Sequence, residues 1–265
     1  MNASLSTMLE SELLLRHDVD GVTTLTLNRP NQYNALSEAL LAALQSALDS
    51  IAQDESVRVV VIAANGPAFC AGHDLKEMRA EARHERIVAL FAQCSRMMLS
   101  LPALPQPVIA RVQGLATAAG LQLVAQCDLA IASETARFAA SGINFGLFCA
   151  TPAVPLSRNL SRKHALEMLL TGDFIDAASA AERGLVNRAV PLDRLDAEVA
   201  RLADNIKAKP REVVAMGKTL FYRQVETGLK AAYDDAADVM ACNFMHRDAT
   251  EGVAAFIEKR APHWG

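Results

Sequence analysis

Three short runs, RVVVIAA (58–64), PVIARV (107–112) and DLAIAS (128–133), limit what this chain can fold into. Each is apolar and largely β-branched or small, and none alternates with polar residues. A strand with one face in water alternates, so these are predicted to be covered on both faces, as strands of a parallel sheet between helical layers are. Parallel neighbours need crossovers. The intervening stretches supply them, with helices predicted from about Leu75 to Leu99 and over 117–126. Upstream, ELLLRHDVDG and VTTLTLNRP form a predicted hairpin with Asp20-Gly21 at the join. Ser37 can cap a helix whose Leu40, Leu41, Leu44, Leu48 and Ile51 recur at helical spacing. The fold class is therefore α/β.

After Pro152 and Pro155 the pattern changes. Apart from strand-like LVNRAV (185–190), the stretches from Arg162 to Lys259 read as a series of helices. The expected organisation is an α/β core over 1–200 and a helical region over 201–265. The last helices carry Val239, Met240, Phe244, Met245, Phe256 and Ile257. That apolar surface fits a subunit interface or packing on the chain's own core.

Composition excludes several classes. Net charge is −4, and Lys and Arg are scattered, so the footprint of a nucleic-acid binder is missing. No apolar run reaches the roughly 18 residues of a membrane span, so no membrane partner is expected. Five cysteines at irregular spacing argue for a reducing compartment, with cytoplasm as the expected location. The start, MNASLSTMLESELLLRHDVDG, has no basic region followed by a long apolar one, so no secretory signal is read there. Neither G-x-G-x-x-G nor a P-loop occurs. Cys70 and His73 have a C-x-x-H spacing but no second pair, so no metal site is expected.

Two stretches can carry chemistry: AFCAGHDLKEM (68–78) and QGLATAAGLQLV (113–124). Each follows a buried strand and runs through small residues into a helix. Small residues admit a ligand close to the backbone, and a helix start leaves N–H groups unpaired. Two such starts facing one cleft make a pair of donors suited to a developing oxyanion. Close packing of helices on strands explains either stretch alone as well.

With NRPNQYNALS, AFCAGHDLKEM, PVIARVQGLATAAGLQLVAQCDLAIAS, ALEMLLTGDFIDAASAAERGLVNRAV and EGVAAFIEKR in this order, the chain resembles the crotonase superfamily of enoyl-CoA hydratases and isomerases. The resemblance implies a spiral of ββα units with a helical C-terminal trimerisation region. It also implies a homotrimer or homohexamer and an acyl-CoA thioester as ligand, with no cofactor beyond the coenzyme A of that substrate. The oxyanion donors then fall on the N–H groups of His73 and Ala119. The coenzyme A contacts fall on Ala71, Asp74, Leu75 and Lys76, and on Phe256 and Lys259 of a neighbouring subunit. The hydratases' two catalytic glutamates correspond to Gln122 and Gly142, so both acids are gone. An amide cannot take a proton at neutral pH, which argues against ordinary hydration. Gly142 is expected to leave room, as in the naphthoate synthases, where a glycine admits a bicarbonate base. Their aspartate seven residues on corresponds to Cys149, either a weak acid or nucleophile or a buried small residue. Two readings stay open: an enolate-stabilising enzyme, and an acyl-CoA-binding protein without turnover.

Overall fold

The computed structural model describes residues 13–264. Residues 1–12, which carry much of the reading that no targeting segment is present, lie outside them. The strands are β1 (Leu14–Val19), β2 (Val22–Leu27), β3 (Val59–Ala64), β4 (Ala68–Cys70), β5 (Val108–Val112), β6 (Leu115–Thr117), β7 (Leu129–Ser133), β8 (Arg137–Ala139), β9 (Ile175–Asp176) and β10 (Arg188–Val190). The helices are α1 (Glu38–Ala52), α2 (Leu75–Ala80), α3 (His84–Ala103), α4 (Ala119–Gln126), α5 (Ala150–Asn159), α6 (Arg162–Thr171), α7 (Ala177–Glu182), α8 (Leu195–Lys207), α9 (Arg211–Gln224), α10 (Leu229–Phe244) and α11 (Arg247–Glu258).

The hairpin forms where expected. β1 and β2 pair antiparallel, and Asp20 and Gly21 both take positive φ (48° and 75°), as a two-residue primed turn demands. β2, β3, β5, β7 and β10 then run parallel in a six-stranded sheet of order β1-β2-β3-β5-β7-β10. Both faces of β3 are covered, as its composition requires. Val60 and Ile62 join the main core with Leu40, Leu44 and Met97. Val59 and Val61, pointing the other way, pack with Ile109 and Ile131 against Leu195, Val199 and Ala203 of α8. The division expected at residue 200 falls inside α8.

A second sheet, β4-β6-β8-β9, is built from very short strands, with β4, β6 and β8 mutually parallel. The chain steps from the large sheet to the small one three times, β3 to β4, β5 to β6 and β7 to β8, and a helical segment follows each time. Where one helix was expected from Leu75 to Leu99, two form. Residues 79–85 are all exposed, so no packing face supports continuing the first. α5 forms despite Pro152 and Pro155, both buried.

One buried ion pair ties the C-terminal helices to this core. Lys218 of α9 donates to Asp128 Oδ2 at 2.7 Å and to the carbonyls of Leu101 and Gln106. Asp128 also accepts from Val108 N and the Tyr222 hydroxyl. Beyond α9, contact with the core thins out. Met240, Phe244, Met245, Phe256 and Ile257 are 60–85% exposed, so they do not pack back on their own core.

Removing the cation should leave Asp128 buried and uncompensated. Lys218→Met is expected to destabilise the chain by about 3 kcal/mol or more, read as a lower urea midpoint at constant slope.

Candidate active site

β6 lies between β4 and β8, and the three are parallel, so their C-terminal ends share one edge of the small sheet. His73 follows β4, Ala119 opens α4 after β6, and Gly142 follows β8. Topology thus brings these three positions together at the end of parallel strands where ligands characteristically bind.

The first donor is freed by a bridge. Leu36 N donates to Gly72 O at 2.7 Å and Asp74 N donates to Leu36 O at 3.2 Å. A parallel bridge uses the groups flanking His73, so His73's own N–H is directed away from Leu36. The second donor is freed by a helix start, because the N–H of Ala119 has no intrahelical acceptor. Ala118 before it has φ 48° and ψ −119°, a conformation that costs an alanine about 1 to 3 kcal/mol. Ala118 N is tied to Ala139 O at 3.0 Å, which fixes the turn against β8.

The two loops touch. Gly72 has φ 94°, and a Cβ there would lie 2.9 Å from Ala118 Cβ and 3.2 Å from Ala119 N. Gly120 is tighter, since its Cβ would fall 2.0 Å from Cys70 O. These two positions admit only glycine if the donors are to approach each other. Thr117 Oγ1 donates to Ala71 O across the same seam at 3.1 Å.

Gln122 lies three residues after Ala119, on the same face of α4. It is 4% exposed, and its Oε1 has no hydrogen-bond partner. Both ring nitrogens of His73 are likewise buried without a partner, and the ring meets Phe91 edge-on at 5.3 Å. Burial lowers the His73 pKa, and the nearby Leu36 backbone only weakly opposes this, so the imidazole is neutral.

At Gly142 the structure corrects the expectation of open space. A Cβ there would lie 2.6 Å from Leu147 O and 2.8 Å from Cys149 Sγ, because the turn after residue 142 folds back over it. Cys149 is 6% exposed, just before α5. Burial raises its pKa, against a weaker opposing effect from the Gly142 amide, so the thiol stays protonated.

The nucleotide-end positions divide. Ala71 N already donates to Tyr33 O at 3.0 Å. Asp74 caps α2 through Lys76 N and Glu77 N and pairs with Arg29 at 2.9 Å. Leu75 and Lys76 are exposed on α2. Phe256, 85% exposed, lies in the last turn of α11, and Lys259 caps that helix. Sequence reasoning missed Arg29 and Asn34, whose side chains knot the NRPNQYNALS loop. Asn34, at φ 53°, accepts from Arg29 N and donates to Asn65 O and Ala68 O. Polar residues so dense between a strand and a helix were the available signal.

A cavity of about 810 Å³ lies elsewhere, on the outer sheet face beside α8. Its charged residues are already matched, Arg111 with Asp196 and Lys207 with Asp20, so it lacks reactive groups. Among the described residues no cluster of three or more His, Cys, Asp or Glu could hold a metal, and no helix is long and apolar enough to cross a membrane.

The sequence profile of the enoyl-CoA hydratase/isomerase family matches residues 18–265. The chain belongs to that family. A solved enoyl-CoA hydratase of Mycobacterium smegmatis is 61% identical with a TM-score of 0.94, over 95% of this chain and 98% of that one. Human enoyl-CoA hydratase domain-containing protein 3 is 43% identical with a TM-score of 0.92, over 95% of this chain and all (100%) of the solved human chain. The mouse protein of the same name is 44% identical over 255 residues, 96% of this chain and 85% of its own length. The fold is thus the crotonase-like α/β fold of this enoyl-CoA hydratase/isomerase family. The cytoplasmic expectation is overturned, because the vertebrate relatives of that name are named as mitochondrial. Irregularly spaced cysteines fit any reducing compartment and do not single out the cytosol.

Two outcomes check this geometry. Gly120→Ala and Gly142→Ala should each destabilise by about 1 to 3 kcal/mol, whereas Gly217→Ala, in open space on α9, should stabilise by about 0.5 to 1 kcal/mol, all read by denaturant titration. The Asp74 carboxyl is raised by burial but lowered more by Arg29 and the capping N–H groups, leaving it below its usual range. Its contribution is therefore present above the ordinary carboxylate pKa and lost as pH falls through the folded value. The stability gap between the parent and Asp74→Asn should shrink between about pH 5 and pH 2.

Proposed function

We propose that the chain binds an acyl-CoA thioester with its carbonyl oxygen between the N–H groups of His73 and Ala119. One observation carries this reading: two backbone donors, freed by different means, stand on touching loops at adjacent parallel strand ends. Such a pair holds negative charge better than a neutral carbonyl, so it favours an enolate or tetrahedral oxyanion over the ground state. The coenzyme A runs past α2 and Lys76, and Phe256 and Lys259 reach it from a neighbouring subunit. The exposed apolar side chains of α10 and α11 support a homotrimer or homohexamer. The reading requires no cofactor beyond the coenzyme A of the ligand.

Ordinary hydration is not supported. It needs carboxylates to orient and deprotonate water. Gln122 is neutral, the space at Gly142 is filled, and Cys149 is protonated. The same three observations favour a second reading, thioester binding without turnover.

Ala119→Pro deletes one donor at the first helical position, where α4 itself does not use that N–H, and the affinities are read on variant protein whose circular dichroism and melting match the parent. It should weaken crotonyl-CoA binding by about 1 to 3 kcal/mol, measured calorimetrically, while leaving the affinity for the corresponding thioether unchanged. Equal weakening of both ligands would reject the donor assignment. Hydration, followed by loss of the enoyl absorbance, should be slow, since each missing acid is worth about 10² to 10⁴-fold. Gln122→Glu alone should not restore it. Parent turnover at or above the enzyme median of about 10 s⁻¹ would show that another group supplies the base.

A further inference from the structure

Arg29, at the start of the loop that leaves β2, grips both sides of the bridge that frees the first donor. One guanidinium arm donates to Ala35 O, immediately before Leu36. The other donates to Asp74 Oδ2 at 2.9 Å, immediately after His73. Both side chains are largely shielded, 15% and 17% exposed. Between these grips lie the two hydrogen bonds of the bridge itself, Leu36 N to Gly72 O and Asp74 N to Leu36 O. The second carboxylate oxygen of Asp74 accepts from Lys76 N and Glu77 N, which ties the same loop to the first turn of α2.

We propose that Arg29 is a positioning residue for the His73 N–H: it braces Ala35 against Asp74, sets the spacing of the bridge, and so aims the donor. This rests on reading that N–H as an oxyanion donor. Arg29 does not touch the ligand. Its planar fork reaches a carbonyl on one segment and a carboxylate on the other at once, which a lysine's single ammonium cannot reproduce. The Ala119 donor has supports of its own, Gly120 packed on the Cys70 carbonyl and Ala118 N tied to Ala139 O, so losing the brace should impair the His73 donor more than the Ala119 donor.

The test is the carbonyl stretch of [1-¹³C]crotonyl-CoA bound to the full chain, read by isotope-edited infrared difference, with the affinity ratio of crotonyl-CoA to its S-butenyl thioether analogue. In the parent the stretch should move to lower frequency than in buffer. Arg29→Met and Asp74→Asn should each lose about half of that displacement and lower the ratio about tenfold. The double variant should be no worse than either single one, because the two groups act as one unit. Arg29→Lys should be intermediate. A role confined to stability would lower the melting temperature and weaken both ligands alike, leaving frequency and ratio at parental values, and that result overturns the proposal. Should Arg29→Met not fold, Arg29→Lys and Asp74→Asn carry the same readouts. A parent with no displacement and no preference for the thioester would reject the oxyanion reading itself, and this inference with it.

Discussion

A backbone N–H that is to hold a ligand must be kept out of both sheet and helix, although an unpaired N–H inside a protein is destabilising. The chain meets that requirement twice, on two loops in contact. At His73 a one-residue parallel bridge to Leu36 uses the neighbouring groups and turns the donor outward. At Ala119 a helix begins directly after a residue held at φ 48°. Neither arrangement is stable locally. Each persists because the other loop is pressed against it, with Gly72 on Ala118 and Gly120 on the Cys70 carbonyl. The small sheet has little core of its own. Its three parallel strands deliver three loops to one edge, and the alternation between sheets follows from that arrangement.

The large sheet was legible in the sequence, because runs such as RVVVIAA have no polar face and exist only between two packed layers. The three-residue strands of the small sheet were not, since β4, β6 and β8 are too short for any periodicity. α5 was hidden by its prolines, although Pro152 sits in the first turn, where a missing N–H is harmless. The donors could be named from resemblance and helix-start reasoning, but their support could not. Arg29 and Asp74 are separated by 45 positions in the chain, and nothing local joins them. Gly142 reversed its expectation for a related reason. A glycine suggests room, yet whether a backbone carbonyl fills it depends on the path of the next few residues.

The Gln122 amide, a neutral His73 and a protonated Cys149 carry no charge, and Arg29 and Asp74 beside the His73 loop are paired with each other. On the proposed thioester reading, two oriented N–H groups in a setting that screens charge poorly polarise a bound carbonyl without transferring a proton. That reading sets the chain apart from hydratases that act through paired carboxylates, within the same family fold.

The most direct measurement is a crystal structure of the full chain with butyryl-CoA, a thioester that does not itself undergo hydration. The thioester oxygen is predicted to lie about 3 Å from both the His73 and Ala119 backbone nitrogens, with the acyl chain passing Gln122. A thioester carbonyl directed away from either nitrogen, or a ligand seated in the groove beside α8, would contradict the two-donor site.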